Sequence, residues 1–321
     1  MLGTVIFMCV LYILLALALL MLGGLLWAFR FAVLRRRHPG SMVDWSMLDP
    51  YEAVLAPARA WAEAHPGEPV TIQSDDGLRL AGRLLEHPRA KGTLLLMHGY
   101  RSSAAWDFSV ALPFYYGLGY SLLLADQRAH GASQGRCICY GVKERRDCRR
   151  WAEYLAGRFG PDRSIFLSGL SMGASTVLMA ADQPLPANVD GIIADCGFTS
   201  CRDIFAGVCR SRAPWLPDWT VRAIVGAMRP VLLLLAGFDM NFSAPEALRH
   251  CRVPVLLLHG EADSFVPVAM GRENFAAIPG EKTLLTVPGA DHGLSFLVEP
   301  ERVKAALTAF LAAHTRQNHQ K

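Results

Sequence analysis

Apolar and polar positions divide the chain into three regimes. Leu2 to Trp27 contains no charged residue and shows no polar face at any period. Roughly 20 apolar residues span a bilayer, so this stretch is long enough to do so as a helix. From His38 to about Pro69 the pattern turns polar and proline-containing, with one short helix expected around Tyr51–Ala64. Beyond Pro69, short uninterrupted apolar runs alternate with longer amphipathic ones.

Val70–Ser74 and Leu78–Gly82, joined by Asp75-Asp76-Gly77, predict a β-hairpin. Gly92–His98, Tyr120–Asp126, Ser164–Ser168, Gly191–Asp195, Val253–His259 and Lys282–Val287 read as strands, the apolar ones as buried. Ala104–Gly117, Lys143–Phe159, Ala174–Ala181, Pro267–Ala277 and Glu299–His314 read as the helices between and after them. Such alternation predicts an α/β domain, a mostly parallel sheet with helices on both faces. Gly197 to about His250 breaks the rhythm and reads as an inserted helical cap. The expected organisation is a transmembrane anchor at 1–29, a juxtamembrane linker at 30–68, and a domain at 69–321 with its insertion at 197–250.

Composition sharpens the first regime. The 321 residues are 52% hydrophobic, and mean hydropathy is +0.24. A cleavable signal would carry a basic start, a shorter apolar core and a small-residue cleavage site. No Lys or Arg precedes this core and its exit reads Trp27-Ala28-Phe29-Arg30, so a retained anchor is expected. Arg30, Arg35, Arg36 and Arg37 follow the span, with only the α-amino group ahead of it. The positive-inside rule then expects a single-pass protein with its carboxyl-terminal domain in the cytoplasm. The eight cysteines lack disulfide-scaffold or zinc-site spacing and read as free thiols, reduced in such a compartment. A net charge of +4 carries no basic stripe, so no nucleic-acid partner is expected. No metal or nucleotide motif is present, and neither a metal nor another cofactor is expected.

Chemistry concentrates on Gly169-Leu170-Ser171-Met172-Gly173, set between an apolar run and a helix sequence. Strand, glycine-flanked serine and helix make a nucleophile elbow, a turn too tight for bulky neighbours. A serine hydroxyl is a weak nucleophile and needs a base. Of ten histidines, His38, His65, His87, His314 and His319 fall in linker, loop or tail. His250 falls in the insertion and His130 in a loop, while His98 and His259 end strands where histidine braces a turn. His292 remains, on the loop after the last strand. Its orienting acid is expected to be Asp263, after the preceding strand, with Asp195 as the competitor. Glu261 lies too near its strand, and Asp291 adjoins His292.

Taken in order, His98-Gly99-Tyr100, Asp126–Ser133, the elbow, His259–Asp263 and Asp291-His292 resemble an α/β-hydrolase of the serine-hydrolase type, from about Val70 to the last helix. Asp195–Ser200, opening the insertion, is similar to a bacterial group of membrane-tethered or cytosolic hydrolases. The resemblance implies an oxyanion hole made by the backbone N–H groups of Met172 and Tyr100. His98-Gly99-Tyr100 departs from the HGGG form of many lipases, which argues against a triacylglycerol lipase. The expected function is ester hydrolysis through an acyl-enzyme on Ser171, acting on a small-molecule or lipid-like ester. Amide or acyl-peptide hydrolysis on the same residues and a catalytically silent binding protein compete with it. The insertion, with Trp215, Trp219 and Val231–Leu235, is expected to form an apolar acyl-binding lid near the bilayer.

Overall fold

A computed structural model describes residues 2–35 and 45–316. Arg36, Arg37 and His38 of the polar passage, and His319 of the tail, lie outside the described residues. Eight strands form one sheet: β1 (Glu68–Gln73), β2 (Arg79–Leu85), β3 (Gly92–Met97), β4 (Tyr120–Ala125), β5 (Ser164–Leu170), β6 (Val189–Asp195), β7 (Val255–Gly260) and β8 (Lys282–Val287). Their order is β1-β2-β4-β3-β5-β6-β7-β8. Only the β1–β2 and β2–β4 pairs are antiparallel. The helices are α1 (Leu2–Ala32), α2 (Glu52–Ala64), α3 (Ala104–Asp107), α4 (Ala111–Gly117), α5 (Glu144–Phe159), α6 (Met172–Met179), α7 (Cys201–Arg212), α8 (Asp218–Leu235), α9 (Ala244–Leu248), α10 (Val268–Ala277), α11 (Ser295–Val298) and α12 (Pro300–His314).

The apolar runs of the central strands are buried because helices cover both faces of the sheet. Side chains alternate between those faces. Leu123, Leu95, Leu167, Ile192 and Val255 stand level across five strands. All five join the larger core, with Trp151 of α5 and Leu178 of α6. One residue earlier, Leu122, Leu94 and Phe166 point the other way, into a second core with Tyr115 of α4 and Phe310 of α12. Strands β3 and β5–β8 are parallel, so the loops after them gather on one edge. The strand order reverses direction at β3, which puts that edge at the kind of position where open sheets bind ligands.

The expected helix over Ala104–Gly117 is two helices. Continued unbroken, it would carry Pro113 in its interior, where the ring clashes with the carbonyl four residues back, at Ser109. Breaking at Phe108–Val110 moves Pro113 into the first turn of α4. Part of the expected linker is also ordered against the domain. Trp45–Tyr51 is a 3₁₀ helix, α2 follows it, and Leu55 is buried.

The insertion folds as α7, α8 and α9, which bury Ile204, Val221, Val225 and Leu248 in the larger core. Trp215, Trp219 and Leu234 stay exposed. Among the described residues α1 is the one helix long and apolar enough to cross a membrane. Its side chains are exposed from Thr4 to Gly24, but Phe29 and Val33 are buried in the domain. All eight cysteines are free thiols.

Candidate active site

Ser171 sits between β5 and α6 at φ 55° and ψ −115°, a conformation L-residues avoid. Neighbouring contacts hold it there: its N–H donates to Asp195 O at 2.9 Å, and its carbonyl accepts from Ser175 N at 3.0 Å. The flanking glycines are required by space. A Cβ at Gly169 would fall 2.2 Å from Gly173 O, and one at Gly173 would fall 1.8 Å from Met97 O. The turn therefore closes only with glycine at both positions. Met172 is the first residue of α6, where a backbone N–H has no intrahelical acceptor and the helix dipole is positive.

Three of the expected residues meet here from distant parts of the chain. Ser171 Oγ lies 2.8 Å from His292 Nε2, and His292 Nδ1 lies 2.8 Å from Asp263 Oδ2. A carboxylate only accepts, so Nδ1 carries the proton and Nε2 of the neutral ring accepts from the serine. Asp263 is aimed by backbone: its Oδ1 accepts from Phe265 N at 3.0 Å and Val266 N at 2.7 Å. His259 Nε2 donates to Val266 O at 2.8 Å and faces Asp263 Oδ2 at 3.5 Å, bracing the same turn.

Asp195 is not the partner of the imidazole in this arrangement. Its Oδ1 accepts from Ser295 Oγ at 3.0 Å, and burial pushes its carboxyl above the usual range. Asp291 has a role that adjacency to His292 concealed. It accepts from Ser264 N and His292 N at 2.8 and 2.7 Å, tying the histidine loop to the acid loop.

The His98-Gly99-Tyr100 turn lies against the serine: a Cβ on Gly99 would reach 3.4 Å from Ser171 Cβ. Side chains the sequence analysis did not single out for this task hold it. Gly99 N and Ser102 Oγ donate to the two oxygens of Asp107, each at 2.5 Å. Burial raises the Asp107 carboxyl, with the hydrogen bonds donated by Ser102 and Gly99 opposing. His98 donates from Nδ1 to Gly99 O at 2.7 Å and accepts Gln127 N–H at Nε2. His130 accepts Arg101 N–H at 2.9 Å through Nε2 and donates to Arg128 O through Nδ1. Burial first, then the guanidinium charges of Arg35 and Arg101, hold His130 well below its ordinary pKa and therefore neutral.

Ser171, His292, Tyr100 and Asp195 line one cavity, walled by Leu55, Trp106, Phe108, Tyr115, Phe265 and Phe296 among others. It offers about 110 Å³ to the centres of water-sized groups. No residue of 197–250 lines it, so the expected acyl-binding lid is corrected. The insertion packs on the larger core, whereas the cavity opens over the second core, beside Ala111, Ile193 and Leu258. Its outer wall comes instead from Leu48 and Leu55 of the passage read as linker.

Among the described residues one group has metal-ligand character: donor atoms of Cys196, Asp263 and His292 lie within 4.8 Å of one another. Asp263 and His292 are already bonded to each other, and burial pushes the Cys196 thiol well up, away from the thiolate a metal takes.

An uncharacterized protein of Mycobacterium tuberculosis is 30% identical over 251 residues, 76% of this chain and 79% of its own. The lysophosphatidylserine lipase ABHD12 of Danio rerio is 27% identical over 203 residues, 60% of this chain and 48% of its own. The structure of an esterase from Pyrococcus furiosus superposes with a TM-score of 0.63 at 22% identity, covering 79% of this chain and 94% of that one. The sequence model of the alpha/beta hydrolase family matches residues 94–306. This span runs from inside β3 through the elbow and both loops that meet it to α12: the chain belongs to the alpha/beta hydrolase family.

Proposed function

We propose that this chain is a serine hydrolase that cleaves carboxylic esters with an apolar acyl group, held at a membrane by α1. The observation that carries the reading is the hydrogen-bonded series Ser171–His292–Asp263, of which Ser171 and His292 line an apolar cavity. Ser171 Oγ attacks the ester carbonyl while His292 Nε2 takes its proton, and Asp263 stabilises the resulting imidazolium. The tetrahedral oxyanion is held by the N–H groups of Met172 and Tyr100. His292 returns its proton to the leaving alcohol. Water, activated by the same imidazole, then releases the acid from the acyl-enzyme.

The acyl chain lies along Leu55, Trp106, Phe108 and Phe296, and the similarity to a lysophosphatidylserine lipase supports a lipid-like substrate. Each buried methylene strengthens binding by up to about 0.8 kcal/mol. With each added methylene buried along these side chains, kcat/KM on p-nitrophenyl esters should climb from acetate to octanoate. A flat or falling profile would refute the apolar acyl pocket, and faster turnover of aminoacyl amides than of any ester would refute the ester reading.

A further inference from the structure

The last carbonyls of a helix have no partners within it. At the end of α1 they are met by side chains from the turn beside Ser171. Tyr100 Oη donates to Ala32 O at 2.8 Å, and Tyr140 Oη to the same oxygen at 2.9 Å. The Arg101 guanidinium donates to Phe31 O, and to Leu34 O at 3.3 Å. A cation at the negative end of the helix dipole is favourably placed.

The chain stays attached past the helix. Ile138 N donates to Val33 O and Arg35 N to Arg136 O, both at 2.8 Å. The Arg35 guanidinium donates to Ser133 O and Gly131 O at 2.5 Å. This is a docked element rather than a slack tether. Its contacts converge on Tyr100 and on Arg101, which sits at φ 55° in the left-handed region. From the opposite side the same turn is held at Gly99 N by Asp107 and at Arg101 N by His130.

We propose that the carboxyl end of α1 is a working part of the active site: it clamps the Gly99–Arg101 turn and thereby fixes the Tyr100 N–H as an oxyanion donor. Tyr100 and Arg101 act through their side chains as positioning residues. The inference rests on the proposed roles of Ser171 and the Tyr100 amide. An oxyanion donor acts in the transition state, so loosening it lowers kcat and leaves KM in place.

The test uses the full chain in detergent micelles or nanodiscs. Tyr100→Phe keeps the ring that stacks on Tyr140, 5.5 Å between centroids, and removes the hydroxyl that donates to Ala32 O. Combined with Arg101→Met it should lower kcat about 10-fold, short of the 10²–10³ seen when an oxyanion donor is lost outright. KM should hold, and inhibition by an alkyl boronic acid, which forms a tetrahedral adduct on the serine, should weaken by the same factor. Arg101→Lys should recover part of the loss relative to Arg101→Met. Tyr140→Phe removes an equal bond to the same carbonyl from outside the turn, and should keep kcat within about twofold on that same donor-loss scale.

The inference is overturned by wild-type kcat and boronate affinity in the double variant. It is equally overturned by a loss carried in KM alone, or by an equal kcat loss in Tyr140→Phe. Ester turnover that survives Ser171→Ala would instead sink the proposed function, and the two failures are thus told apart.

Discussion

Replacing Asp263 with asparagine tests the electrostatics of the site with almost no change in shape. In the wild type Oδ1 accepts two backbone N–H groups, from Phe265 and Val266, and Oδ2 accepts the His292 Nδ1 proton. The new carboxamide must keep its oxygen under the two amides, because the flipped form would set its NH₂ against two donors. Its NH₂ then faces His292, whose Nδ1 has to accept, and the ring proton moves to Nε2. That nitrogen now donates toward Ser171 Oγ and has no lone pair for the serine proton. A wrong tautomer of this kind costs about 10⁴-fold in kcat, or about 5.4 kcal/mol of transition-state stabilisation. The assay is steady-state hydrolysis of p-nitrophenyl butyrate, with near-UV circular dichroism to establish that the fold is retained. Asp195→Asn, whose oxygen still accepts from Ser295, should lose less than about 10-fold, because it leaves the imidazole tautomer unchanged. If Asp263→Asn stays within tenfold of wild type while Asp195→Asn collapses, the orienting acid has been misassigned.

Two further outcomes are expected. Below about pH 6.5 the unfolded chain protonates His130 while the folded chain, whose His130 pKa is depressed, does not. The unfolded state then binds more protons, so stability is lost as pH falls through this window, by up to about 1.4 kcal/mol per unit. Urea midpoints of wild type and His130→Gln should converge on acidification, and parallel curves would show that His130 titrates alike in both states. By the positive-inside rule the arginines after α1 are expected to put the carboxyl-terminal side in the cytoplasm. An alkaline phosphatase fused after Lys321 should therefore be inactive in a bacterial host, and an active fusion would reverse the topology.

What could be read from the chain follows from how local each signal is. β3, β4 and β7 were legible because strands buried on both faces lose their polar alternation. The meeting of Ser171, Asp263 and His292 was legible because each lies just past the carboxyl end of its own strand, with a glycine close by in the sequence. The wall of the cavity was not. Leu48 and Leu55 stand among Pro50, Pro57 and charged residues, a local pattern that reads as linker, and only the cavity they line gives them a purpose. The docking of α1 is similarly hidden, since Tyr100 and Ala32 are 68 residues apart and neither belongs to a motif that names the other. In α8 an apolar run does not say which face is covered: Val231 and Leu232 are buried, while Leu233, Leu234 and Leu235 are exposed.

Covalent labelling tests the central claim most directly. A fluorophosphonate probe incubated with the full chain should form one adduct, which peptide mass spectrometry locates on Ser171, and ester hydrolysis should fall in step with labelling. Ser171→Ala should take up no probe. An adduct at another residue, or undiminished labelling of Ser171→Ala, would contradict the account.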